Sequence, residues 1–488
     1  MDFLNKTAKN SIIYFVGTVT MGIMGLVSTM ILTRFLPQKV YAMNGLLATF
    51  HTIVTMLVSL GYDSAYMRFY YEHPYSQKRY IAECLKVPAI LFGLVTLVLI
   101  EPGQHIIEYI FGIKLSALVI FLMIIYFLFS FVHRFSQLTA RMEGYAGNYV
   151  LSNIVGKSGF ILVLVPLYLL FSEVPFDKVI VSHAIAAILA MLINLLIYKK
   201  IWNKRNEKHT IVNNKDMLAY GFPITINCII VLLIPMAEKI IIRELAGWEV
   251  LSVFTAASIF QTVMLMISNT VTSIWNPMVF KYCEDEGRLK PIMHRFGQMG
   301  VVISVLGVTA CILLRRWLVL ILDSAYYEVY IIAPVILLTG CFNLLFVIYS
   351  VGINIKKKTW HLIIAPVFQF ILSVIMCFLL IPKYGLVGVG LAILVSTGVN
   401  RFYTIIVGLR LYDTGENETK TIIVIIASIA AAVISLFRTS LLDDIAVSVA
   451  LFVFAIIVMN KDLVTIINVF TEMVLKRKKH EFTSGEKS

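Results

Sequence analysis

The chain has 488 residues, of which 59% are hydrophobic and only 14% are charged, and its formal net charge is +13. Its mean hydropathy of +0.87 lies far above the range of soluble domains, which excludes a water-soluble enzyme or binding domain. The six cysteines form no C-x-x-C pattern and no cluster with histidine, so we predict no metal site, no disulfide framework and no cofactor.

Apolar segments long enough to cross a bilayer recur from Ser11 to Asn460. Lys6 and Lys9 precede the first segment without a small-residue cleavage site, so we expect a retained helix there. In chain order the predicted helices lie near residues 11–33, 43–62, 85–100, 115–133, 150–171, 179–198, 217–237, 251–275, 295–314, 329–350, 360–381, 386–407, 421–437 and 444–459. We therefore predict an all-α, polytopic membrane protein with 14 transmembrane helices.

The basic residues alternate between successive loops. The loops that carry Arg68, Arg134 and Lys357 belong to the basic set, and about 30 of the 41 lysines and arginines fall on their side. Because cytoplasmic loops retain positive charge, both termini are predicted to be cytoplasmic. Arg315 and Arg316 fall on the other side, where we expect them to anchor at the lipid headgroups. Membrane topology thus explains the net charge, and no nucleic-acid partner is indicated.

An internal repeat relates predicted helices one and two to helices seven and eight. Arg34 ends the first helix in ILTRFL, and Arg243 ends the seventh in IIIREL. An offset of six helices preserves orientation, which predicts two six-helix lobes related by an axis along the membrane normal. The predicted domains are residues 1–205, residues 206–412, helices 13 and 14 in 413–460, and a cytoplasmic basic tail in 461–488.

No catalytic motif is found. Gly156-Lys157-Ser158 resembles the end of a phosphate-binding loop, but Leu151 occupies the position that requires the first glycine. No long external loop carries the acidic and histidine residues that a membrane glycosyltransferase or polymerase needs, so that function is disfavoured. We predict a transport protein and not an enzyme.

Three segments resemble the polysaccharide transporter family of the multidrug/oligosaccharidyl-lipid/polysaccharide flippase superfamily. They are LIPKYGLVGVG (Leu380–Gly390), TRFLPQKVYA (Thr33–Ala42) and LGYDSAYMRFYYEHP (Leu60–Pro74). The resemblance implies a flippase that moves polyprenyl-pyrophosphate-linked oligosaccharide across the bacterial inner membrane for cell-surface polysaccharide biosynthesis, by alternating access. It implies the lipid-linked oligosaccharide and membrane lipid as partners, with a polysaccharide polymerase and glycosyltransferases as further expected partners.

A multidrug or cation antiporter of the same superfamily is the alternative. Such an antiporter is expected to carry carboxylates deep in its first lobe for Na⁺ or H⁺ coupling. Here Asp63, Glu72, Glu101 and Glu108 are predicted to lie at helix ends or in loops.

A diphosphate and its sugars need a cavity that supplies positive charge and hydrogen-bond donors. Lys157 and Arg401 are predicted to lie deepest within helices and are the first candidates for substrate binding, with a snorkelling or structural role as the alternative. Arg34 and Arg243, at equivalent repeat positions, are further candidates, although anchoring or pairing with Glu238, Lys239 or Glu244 is the commoner role.

Three other residues are candidates for gating or ion coupling. Asp63 and Arg68, at the inner end of the second helix, are predicted to form a structural pair or a gate. His51 in the second helix, like His183 in the sixth, could couple transport to protons, although a buried, hydrogen-bonded histidine is the commoner case.

Overall fold

A computed structural model describes residues 2–70, 77–101, 103–171, 174–202, 213–282, 285–412 and 419–459, and the regular secondary structure in these ranges is helical. The predicted basic tail, residues 461–488, lies outside the described residues. The helices are α1 (Asp2–Phe35), α2 (Gln38–Ser59), α3 (Tyr62–Phe69), α4 (Gln77–Ile100), α5 (Gly103–Phe111), α6 (Ala117–Met142), α7 (Ala146–Phe171), α8 (Phe176–Trp202), α9 (Asn214–Tyr282), α10 (Glu286–Val319), α11 (Val329–Tyr349), α12 (Val351–Ile355), α13 (His361–Leu411), α14 (Thr419–Phe437) and α15 (Leu441–Val458), with a 3-10 turn at Ser324–Tyr326.

Two of the long helices are each interrupted at a glycine. Gly247 in α9 has φ 86° and Gly385 in α13 has φ 54°, both in the left-handed region that favours glycine. Eleven helices in the described part are long and apolar enough to cross a membrane, and α1 contributes a shorter apolar stretch, Val19–Phe35. When α1 and both arms of α9 and α13 are counted separately, the described residues are consistent with the 14 predicted spans.

Contacts divide the chain into two compact units. The first comprises the described parts of Met1–Ile259, Ile321–Tyr327 and Pro366–Gly385. Within this unit α6 and α7 both pack on α8, and α1 packs on α7. The second unit comprises the described parts of Phe260–Leu320, Glu328–Ala365 and Leu386–Ser488. The predicted pair of six-helix lobes related by a repeat stays a prediction.

Helix α11 forms the centre of the second unit. In the stretch Val329–Ile355, 78% of the most apolar window is buried, compared with 22% in Leu441–Val458. Helix α10 packs along α11, and both helices contact the α14–α15 hairpin. A helix that is apolar on all sides can be buried all round, whereas the exposed apolar side chains of α15 suit contact with lipid.

Arg315 does not anchor at the headgroups, which corrects the sequence-based expectation. It is fully buried at the end of α10, and its Nε and Nη2 bind the buried carboxylate of Asp444 on α15. Its Nη1 and Nη2 also donate to the carbonyls of Ser435 (2.7 Å) and Arg438 (2.9 Å), just where α14 ends. Arg316 adds contacts to Asp444 and to the carbonyl of Thr439. The sequence places the arginines correctly at a helix end but cannot reveal a partner about 130 residues away.

Candidate substrate-binding site

Lys157 lies in α7 and links that helix to α1. Its Nζ donates a hydrogen bond of 3.1 Å to the carbonyl oxygen of Met21. Because an ammonium has three donors, this contact leaves two N–H groups for another acceptor. The residue is exposed on the surface of its unit, so it is available to a ligand as well as holding α1. The two roles considered from the sequence are therefore compatible.

Arg401 lies in the second arm of α13, where its guanidinium packs against an aromatic ring. Its guanidinium carbon is 4.4 Å from the centre of the Phe346 ring, and its buried Nε has no hydrogen-bond partner. Within the described residues the guanidinium forms no ion pair. A cation–π contact offsets only part of the cost of holding a charge in a membrane helix. A role for Arg401 in substrate binding stays a prediction.

The hydrogen bonds of Arg243 are made to other residues of the protein. Its side chain is buried, and Nη1 donates to the carbonyls of Tyr109 and Ile110, both at 2.5 Å, in the last turn of α5. Its Nη2 pairs with Glu244, one of the partners considered from the sequence. A cation at a helix C-terminus satisfies carbonyls that lack intrahelical donors, so these contacts anchor α5.

Arg34 contrasts with Arg243, its predicted repeat equivalent. It is exposed at the end of α1, and Nη2 makes one long contact of 3.4 Å to the carbonyl of Ile321. Most of its donors therefore remain available, and a role in substrate binding stays a prediction.

Glu238 and Lys239, which were considered as partners of the repeat arginines, bind elsewhere. The Lys239 ammonium donates to the Gly45 carbonyl (2.8 Å) and the Thr49 hydroxyl (2.7 Å) on α2. Glu238 is buried and accepts a 2.6 Å hydrogen bond from Ser373. These contacts tie the first arm of α9 to α2 and to the first arm of α13.

Asp63 does not pair with Arg68 in the described residues, and a gating role for these two residues stays a prediction. Asp63 is buried on α3 and instead binds Nη2 of Arg134 on α6, at 2.6 Å. Its other oxygen accepts the backbone N–H of Ser64. Asp63 and Arg68 are five residues apart on a short helix, so their side chains point to different faces. Arg68 is exposed and lies against the ring of Phe69.

Arg134 was missed as a site residue because the sequence assigned it to a loop. Helix α6 in fact continues to Met142, so Arg134, Gln137 and Arg141 are helical. Their spacing of three and four residues puts them on one face of α6. That spacing was visible in the sequence, but the apolar run ends before it, and the run alone set the predicted boundary.

His51 lies in an aromatic stack and not beside an acid. Its ring is 4.6 Å from that of Tyr126, which in turn stacks on His183 at 4.8 Å. His51 contacts the Thr55 hydroxyl, and His183 contacts Asn44 at 2.8 Å. These are the contacts of hydrogen-bonded packing histidines, and proton coupling through His51 stays a prediction.

The described residues define an all-helical, multi-pass membrane protein whose fold is found in solved transporters. The structure "Lipid II flippase MurJ, inward closed conformation" matches with a TM-score of 0.68 at 14% identity, and covers 93% of this chain and 100% of that one. An inward-facing multidrug resistance MATE family transporter of the MOP superfamily matches with a TM-score of 0.63 at 16% identity, over 83% and 98% of the two chains. The MATE multidrug transporter DinF-BH matches with a TM-score of 0.62 at 13% identity, over 84% and 96%.

The sequence itself identifies the family. The profile described as "Polysaccharide biosynthesis protein" matches residues 7–283, more than half of the chain. The chain therefore belongs to this family, and the resemblance to polysaccharide transporters of the flippase superfamily is confirmed. A comparison with curated protein sequences gives no match.

Proposed function

We propose that this protein is a flippase that moves polyprenyl-pyrophosphate-linked oligosaccharide from the cytoplasmic to the outer leaflet of the bacterial cytoplasmic membrane, with both termini in the cytoplasm. The family and the fold support transport rather than catalysis. The observation that carries the substrate class is the guanidinium of Arg401, which sits in a membrane-spanning helix with no anionic partner in the described residues.

The physical argument is one of charge. A charged side chain at the centre of a membrane helix costs roughly 2.5–3.5 kcal/mol, so it persists where a partner compensates for it. A diphosphate is such a partner, because it has several strong acceptor oxygens and cannot enter hydrocarbon unaided. Lys157 offers two further N–H donors in the first unit. Each of the two residues would supply positive charge to the head group at a stage of alternating access.

The alternative is a multidrug or cation antiporter, because the fold also resembles that of MATE transporters. A cationic drug would be repelled by the charges of Lys157 and Arg401, neither of which forms an ion pair within the described ranges. The two buried carboxylates that are described in the first unit also have partners already: Asp63 binds Arg134, and Glu238 binds Ser373. Both facts favour an anionic substrate.

Substitution of the two cations tests the proposal. Purified protein is reconstituted at matched levels, and the appearance of lipid-linked glycan in the outer leaflet is followed. Arg401→Gln and Lys157→Ala are expected to slow flipping, whereas Arg401→Lys and Lys157→Arg should retain more activity because the charge is kept. Arg288→Gln, which removes an exposed arginine paired locally with Asp285, is the matched control. Unchanged flipping in a Lys157→Ala, Arg401→Gln double variant would show that these charges are structural.

A further inference from the structure

A cavity of about 370 Å³ with a mixed polar and apolar lining opens within the first unit. It lies between α3, α6, the start of α7 and the first arm of α9, and its polar lining comes from Asp63, Ser64, Arg134, Gln137, Arg141, Tyr149 and Thr225. This volume is within the range of small-molecule sites. Charged side chains on the wall of a cavity are unusual in a chain of such hydropathy, and they favour a hydrophilic group beside them.

The cavity carries a net positive charge. Arg134 and Arg141 supply two cations, and Asp63 supplies the one carboxylate of the lining residues. Arg141 is exposed and forms no ion pair among the described residues. Gln137 is oriented by a 2.8 Å hydrogen bond to His133, so its position on the wall is fixed. The surplus charge favours an anion.

The guanidinium of Arg134 has hydrogen-bond partners for only some of its N–H groups. Nη2 binds Asp63, but the buried Nε has no hydrogen-bond partner. The arginine side chain is 36% exposed, whereas that of Asp63 is 8% exposed and fixed by the N–H of Ser64. The fork of an arginine matches the geometry of a phosphate, and a bound phosphoryl group would compete with Asp63 for it.

Gly61, one of the residues that line the cavity, packs against the backbone of α9. A Cβ atom on Gly221 of α9 would lie 2.6 Å from the carbonyl oxygen of Gly61, which lies between α2 and α3. Only glycine permits this approach. Occupation of the cavity would therefore act on α3 at the point where it touches α9.

We propose that this cavity is a binding site for a phosphoryl anion, in which Arg134 and Arg141 bind the ligand and Asp63 is a built-in competitor for Arg134. The proposal rests on the proposed function, which it deepens: the cavity receives the diphosphate of the lipid-linked substrate at the basic end of the first unit. The same chemistry would accept the headgroup of an anionic phospholipid.

Cys228 lines the cavity and gives a reading specific to it. The experiment measures how fast a maleimide modifies Cys228 in the full-length protein in detergent, with peptide mass spectrometry as the readout. The rate is measured at increasing concentrations of three probes: a short polyprenyl diphosphate, phosphatidylglycerol and inorganic pyrophosphate. Protection by the polyprenyl diphosphate at lower concentrations than phosphatidylglycerol supports the substrate as source. The reverse order would overturn that assignment in favour of bulk lipid.

The two members of the ion pair distinguish an anion site from a structural pair. Arg134→Gln is expected to raise the half-protecting concentration by about tenfold or more, the effect of losing a charged hydrogen bond. Asp63→Asn should lower it several-fold, because it removes the competitor. Equal weakening by both substitutions would overturn the proposal.

Arg141→Gln keeps the test valid if either variant of the ion pair fails to fold. It breaks no ion pair among the described residues, and we expect it to weaken protection as well. Arg288→Gln, outside the cavity, should have no effect. No protection of Cys228 by any probe in protein that still flips lipid-linked glycan would overturn this site alone. Protection without flipping would overturn the proposed function and leave the site standing.

Discussion

Asp444→Asn tests the buried network that fastens the α14–α15 hairpin to α10. Asp444 is 1% exposed and faces Arg315, which is 0% exposed, at 2.5 Å. The substitution removes the carboxylate charge and leaves a buried guanidinium uncompensated. Breaking a buried pair in this way costs about 3–5 kcal/mol. Since the carbonyls of Ser435 and Arg438 still accept from Arg315, we expect about 3 kcal/mol, the lower end of that range.

The assay is SDS-induced unfolding of the purified protein in mixed micelles, with the free energy of unfolding compared between variants. Asp443→Asn is the matched control, because Asp443 is half-buried on the same helix and, among the described residues, hydrogen-bonds only Ser440. It should change the free energy by no more than about 0.5 kcal/mol. A double-mutant cycle with Arg315→Gln should show strong coupling. This reasoning would be refuted if Asp444→Asn changed the free energy of unfolding no more than Asp443→Asn does and showed no coupling to Arg315→Gln.

The remaining predictions address gating, coupling and topology. Gly221→Ala inserts a methyl group 2.6 Å from the Gly61 carbonyl, so it should separate α3 from α9 and speed maleimide labelling of Cys228; unchanged labelling would mean that the contact is dispensable. His51→Asn should leave the pH dependence of flipping unchanged, because His51 contacts Tyr126 and Thr55 and no acid; a shifted pH profile would restore His51 as a coupling residue. A cysteine at Lys357 should be shielded from impermeant reagents in intact cells, whereas one at Asp177 should be labelled; the opposite pattern would invert the topology.

The fold class could be predicted from the sequence because the lipid bilayer constrains each membrane-spanning segment separately. Every span must satisfy its own backbone, so length and hydropathy predict the helices directly. The predicted break between the helices at 360–381 and 386–407 falls within LIPKYGLVGVG, and the structure has the left-handed residue Gly385 there. The prediction ended α6 too early. The polar residues past Val132 form the same helical backbone hydrogen bonds, but their low hydropathy does not indicate a helix.

The sequence could not predict which charged residues pair with each other. Asp63 binds a residue 71 positions away, and Arg315 binds one 129 positions away. Local spacing pointed instead to Arg68 and to the headgroups. Charged groups in a membrane protein pair across helices, and only the packed fold decides which ones meet. Arg401 was predicted to lie deep in a helix, as it does, but the absence of an anionic partner for it among the described residues could be read only from the structure.

The most direct test of the central claim uses the unmodified protein. It is reconstituted into vesicles that carry a polyprenyl-diphosphate-linked oligosaccharide, and the glycan transferred to the outer leaflet is measured with an added glycosidase. We predict that these vesicles expose the glycan faster than protein-free vesicles do. Exposure at the protein-free rate, together with transport of a cationic dye against its gradient by the same preparation, would contradict the flippase assignment and identify an antiporter.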